Sequence, residues 1–307
     1  MIQHESTLQS LVDSIRGRGP ALGSLADQLR SPAILEAFEK WNYDSWCIAV
    51  AGDSLVRLRL LTEQNFKVVE TIGLVAVARY IFELALWLRL FAHDRRYGLV
   101  YFDQLLVTQE RFLRATLAQL EREIAWLKLL GESETKSHGE VLKDIDRASV
   151  RNDQADDLVS ALRSVSGRID AEAARRFSIF AEGAQINGYA FQAYLVETRA
   201  LPPVRQALQE ILVERNEFES RVPEDIRGLR PKRWQWRAMA ERVGRLDEYE
   251  YVYSFASKLL HATPASITTD QKNLEIAEMQ VFLKYIDIAI SDVLALAADY
   301  LPRDVAG

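Results

Sequence analysis

Apolar positions recur at helical intervals along almost the whole chain, and no segment shows the two-residue alternation of a convincing strand. Residues 2–16 and 21–30 predict two short helices, split by Gly17-Arg18-Gly19-Pro20. Ser31-Pro32 resembles an N-cap followed by a first-turn proline. It opens a longer helix through Trp41 and Trp46 towards Leu61, with Asn42 to Ser45 and Gly52 as weak points. Thr62 begins the most apolar helix, which runs to about His93.

The texture then changes. Leu106, Leu113, Leu117, Leu120, Ile124 and Leu127 form a heptad-like seam between charged residues, and Gly131 to Gly139 has the composition of a turn. Leu158, Leu162, Val165 and Ile169 resume the pattern, so the expectation is an antiparallel helical hairpin with charged faces. Phe177 to Ala200 is aromatic and apolar again, Leu201-Pro202-Pro203 marks a boundary and opens another helix through Glu217, and Pro264 and Pro302 act as stops. The predicted architecture is an all-α multi-helix bundle with a protruding helical hairpin. Its parts are 1–98 as the N-terminal part of the core, 99–176 as the hairpin insertion and 177–307 as the C-terminal part of the core.

Composition narrows the class. Only 14 glycines and 8 prolines occur in 307 residues, which leaves few helix breakers and agrees with the all-α reading. The single cysteine, Cys47, excludes an internal disulfide and suits a reducing compartment, so the expected location is the cytoplasm. Ile72 to Phe91 has membrane-spanning length, but Arg79, Glu83 and Arg89 interrupt it at about 2.5–3.5 kcal/mol each on insertion scales. A buried helix is the expectation, with no membrane partner. The four histidines are scattered, no metal-ligand pair or glycine-rich phosphate loop occurs, and neither metal nor cofactor is expected.

Two stretches break helix-core logic in a patterned way. Arg79 and Glu83 lie one turn apart inside the apolar run, within ion-pair reach. Tyr249, Tyr253, Ser257 and His261 repeat every four residues, drifting about 40° per step on an ideal helix. Imidazole transfers protons near neutral pH and a neighbouring hydroxyl can orient it, so His261, Arg79, Glu83, Ser257 and Tyr253 are the candidate catalytic set. The same residues also read as a buried structural network between helices. A third stretch combines Arg230, Lys232, Arg233 and Arg237 with Trp234. Basic groups beside an aromatic can hold phosphates and stack bases, while a solvated loop with a buried tryptophan accounts for the same residues.

The Arg79/Glu83 helix and the Trp234, Tyr249, Tyr253, Ser257 and His261 segment resemble a family of uncharacterised, mostly bacterial all-α proteins, over residues 65–95 and 230–270. That family in turn resembles the HEPN helical domains. The resemblance implies an intracellular protein of defence or stress that binds RNA or a nucleotide. It further implies metal-independent RNA cleavage, a homodimeric state and proton transfer by His261. HEPN domains carry an arginine five to seven residues before the histidine. Ser254, Phe255 and Ala256 stand there in this chain, which leaves Arg79 as the cation. The alternative is a non-catalytic interaction module whose charged hairpin recruits a protein partner.

Overall fold

The computed structural model describes residues 2–64, 70–143, 152–176, 178–260 and 274–301. Among them the chain is all-α, with no strand. It divides into two compact units, one of residues 1–104 with 222–307 and one of 105–221.

The first unit opens with α1 (Ile2–Gly17) and α2 (Gly19–Leu29), separated by Arg18 alone. Pro32 starts the short α3 (Pro32–Glu36), whose first turn bonds back to the Ser31 carbonyl. The predicted longer helix stops there and restarts as α4 (Tyr43–Gln64), since the Asn42 side chain caps the new start by accepting from the Asp44 N–H. Cys47, Ala51, Leu55, Leu58 and Thr62 of α4 are buried at helical spacing, and α2 packs along it. The central apolar helix α5 (Thr71–His93) begins later than Thr62, which lies in the last turns of α4. Its long partner is α15 (Ile276–Ala298), and the Thr71 hydroxyl accepts from the Leu274 N–H to tie their starts together. By length and composition α5 could cross a membrane, and 56% of its most apolar window is buried within the protein.

After α5 the chain enters α6 (Tyr97–Lys143), whose 47 residues span about 70 Å. The turn expected at Gly131 to Gly139 is helix. Gly131 is small for packing rather than for turning: a Cβ there would lie 2.9 Å from the Ala190 backbone nitrogen. The later part of the heptad-like seam contributes to the core of the second unit. Leu120, Ile124 and Leu127 share a buried cluster with Val165 and Ile169 of α7 (Asn152–Ala174).

The structure draws the units at boundaries other than 99–176 and 177–307. Ala184 of α8 (Ala181–Asn187) and Tyr189 and Ala193 of α9 (Tyr189–Leu195) complete the buried cluster of the second unit. The helix expected to open at Leu201-Pro202-Pro203 does open there, but with no break in the chain before it. A π turn (Val196–Ala200) joins α9 to α10 (Leu201–Arg221), and the widened turn sits where the two prolines withhold N–H donors. The chain then re-enters the first unit through α11 (Glu224–Leu229), α12 (Trp236–Arg242), α13 (Leu246–Glu248), a second π turn (Tyr249–Ser254) and α14 (Phe255–Leu260).

Candidate functional site

The second π turn and α14 pack on α5, and this contact brings Arg79 to the tyrosine stripe. Arg79 Nε donates to Glu83 Oε1 at 3.2 Å, Nη1 to Ser257 Oγ at 3.2 Å, and Nη2 to Tyr253 Oη at 2.9 Å. The guanidinium carbon lies 4.3 Å from the Tyr253 ring centroid, so the cation also gains from the ring's face. Four of the five residues named from the sequence therefore form one cluster across 174 to 178 positions of chain. His261 lies outside the described residues.

The wider turn accounts for how the tyrosines line up. Bonds from i to i+5 slow the rotation per residue, and Tyr249 stacks on Tyr253 at 4.9 Å and 18° instead of drifting off the stripe. Phe82 closes the inner side, 6.2 Å from Tyr249 and 6.0 Å from Tyr253. Burial raises the Tyr253 phenol above its ordinary range, which keeps it a proton-bearing hydrogen-bond group. Burial also raises the Glu83 carboxyl, against the lowering influence of Arg79.

The basic tryptophan stretch is partly engaged with the protein. Arg230 pairs with buried Asp103 at 3.0 Å and Arg237 with Glu250 at 3.0 Å. Trp234 stacks on Trp87 at 4.1 Å and 15°, and its buried indole N–H has no acceptor among the described residues. Lys232 and Arg233 are exposed. These contacts place Trp234 in an aromatic stack with Trp87.

Two features were hidden in the sequence. One is a cavity of about 370 Å³ lined by Asp53, Arg57, Tyr80, Glu83, Trp87 and Trp236, among others. It adjoins the Arg79 cluster because Glu83 belongs to both and Trp236 lies 6.5 Å from Tyr253. The other is a partly buried network in which Arg89 bonds Glu248 and Asp292 while the Tyr285 hydroxyl donates to Glu248. Among the described residues no group of His, Cys, Asp and Glu is arranged to hold a metal ion. Comparison of the chain with protein-family models, curated proteins and solved structures found no match.

The environment of Glu83 makes a pH prediction. Its folded-state value lies above the ordinary 4.5, so the folded protein holds this proton more tightly than the unfolded chain. The stability that follows is fully present below 4.5 and is lost as pH rises through the folded value. Melting temperature of the wild type, measured against Glu83→Gln, is expected to fall over that interval and then level off. A difference that stays constant from about pH 4 to 8 contradicts the burial of this carboxyl.

Proposed function

We propose that the protein binds RNA or a nucleotide through its phosphate at the Arg79 cluster. The observation that carries this reading is the state of the guanidinium. Three of its five N–H groups are held by Glu83, Tyr253 and Ser257, and the other two have no acceptor among the described residues. The side chain is 27% exposed. An arginine fixed in orientation, partly desolvated and still holding donors is suited to an anionic oxygen, and phosphate takes two such donors at once. The Tyr253 hydroxyl stands beside it as a further hydrogen-bond group, while the Ser257 hydroxyl already donates its proton to the Tyr253 carbonyl at 2.8 Å. His261, four residues beyond Ser257 in the sequence, is the proton-transfer group for the metal-independent RNA cleavage that the HEPN resemblance implies.

One observation favours a second reading, a structural network in an interaction module. Glu83 already neutralises Arg79, and Arg230 and Arg237 of the basic stretch are likewise paired with carboxylates. Incubating the full chain with mixed RNA, with and without chelator, separates the two. The phosphate reading expects RNA to be bound, any cleavage to persist in chelator and His261→Ala to abolish that cleavage. Cleavage that survives His261→Ala removes the histidine from the chemistry, and failure to bind RNA or nucleotide favours the network.

A further inference from the structure

The cavity beside the Arg79 cluster has the size and lining of a base pocket, and we infer that it receives a guanine ring whose phosphate reaches Arg79. This rests on the phosphate reading and names the ligand that the same site would take. The volume of about 370 Å³ is at the lower end for small-molecule sites, which suits one nucleotide rather than a folded strand. Four aromatic side chains line it: Tyr80, Trp87, Tyr101 and Trp236. Trp87 is clamped on one face by Trp234 and meets Trp236 edge-on at 6.3 Å and 82°, so the wall is ordered before any ligand arrives. A rigid aromatic wall is a stacking surface for a planar ring.

The polar groups choose among rings. Glu83 accepts from Arg79 through Oε1 and has no donor on Oε2 among the described residues. Asp53, a second carboxylate of the lining, meets Arg30 at 3.4 Å and is 70% exposed. Arg57, exposed on the same lining, has no acidic partner among the described residues. A ligand that satisfies this set must offer adjacent N–H donors to a carboxylate and acceptors to an arginine. Guanine has both: its ring N–H and amino group form the donor pair, and its O6 and N7 form the acceptor pair that arginine binds. Adenine lacks the ring N–H donor and the O6 acceptor. Cytosine has an amino donor without the adjacent ring N–H.

Calorimetric titration of the full chain with guanosine, adenosine, cytidine and inorganic phosphate tests this. Guanosine is expected to bind at least about tenfold more tightly than adenosine, and Arg57→Ala to remove about tenfold of that preference. Arg57 is exposed, so this variant should keep its melting temperature, which is checked in parallel. Arg79→Lys is expected to weaken binding of inorganic phosphate, the probe that reads the Arg79 side of the site alone. Equal affinity for the purines, no saturable guanosine binding, or binding indifferent to Arg57→Ala overturns the guanine pocket. Arg79-dependent phosphate binding without guanosine binding sinks the pocket and leaves the phosphate reading intact. Guanosine binding that depends on Arg57, with no phosphate or RNA binding, does the reverse.

Discussion

Replacing Arg89 by alanine is expected to lower the stability of the first unit by about 3–5 kcal/mol, the range for breaking a buried ion pair from one side. The Arg89 side chain is 10% exposed and Glu248 is 15% exposed, so neither charge is well solvated. Arg89 bonds Glu248 at 3.2 Å and the more open Asp292 at 2.7 Å. Without the guanidinium, Glu248 keeps, among the described residues, the Tyr285 hydroxyl at 2.8 Å and Arg245 at 3.8 Å. At roughly 2–4 °C per kcal/mol for a unit of this size, melting should fall by about 10 °C. The cost belongs to the stranded carboxylate, so Arg89→Met with Glu248→Leu should be more stable than Arg89→Met alone. A single variant within about 1 kcal/mol of wild type would mean that the network behaves as a solvated surface pair.

A second large effect is expected at Gly98. Glycine to alanine inside a helix ordinarily stabilises by about 1 kcal/mol. At Gly98, however, the added Cβ would lie 2.1 Å from the Tyr43 carbonyl oxygen and 3.1 Å from Cys47 Sγ. Both contacts belong to the first turns of α4, and the carbonyl cannot swing aside as a side chain could. Cys47 is buried, with its thiol pushed up to about 12, so this corner has no slack filled by solvent. Gly98→Ala is therefore expected to destabilise by about 3 kcal/mol or more. Gly139 in the same helix provides the control: nothing lies within 4 Å of its would-be Cβ, and alanine there should stabilise by roughly 0.5–1 kcal/mol. Opposite signs in thermal melts support the close approach of α6 to α4, and equal signs contradict it.

The helical class and the meeting of Arg79 with Tyr253 and Ser257 were legible because polar groups at helical spacing inside apolar helices need one another. The path between them was not. Glycine, serine and threonine at 131–139 have the composition of a turn, yet in α6 Gly131 serves the approach of Ala190 and the Thr135 hydroxyl bonds the Gly131 carbonyl. Pro202-Pro203 resembles a helix boundary, whereas a π turn absorbs the missing donors, and nothing in the local residue types announces such a turn. The same holds at Tyr249–Ser254, where the turn brings the tyrosines into register. Trp234 beside arginines and a lysine fitted an outward stacking surface and a tryptophan buried behind a solvated loop equally well, and the packing agrees with the second. The partner of Trp234 was Trp87, 147 positions earlier, and only the tertiary packing could reveal that. The aromatic cavity was hidden for a related reason, since Trp87 and Tyr101 are ordinary core residues at the level of spacing.

The most direct test is to measure the affinity of a short RNA at two salt concentrations for wild type and Arg79→Lys, with melting temperature followed in parallel. Lysine keeps the charge but loses the fork that holds Glu83, Tyr253 and Ser257 while presenting further donors. Binding is expected to weaken with salt in the wild type and to fall about tenfold in the variant. Unchanged affinity in Arg79→Lys, with a lowered melting temperature as its sole effect, would contradict the phosphate reading and leave the cluster as scaffold.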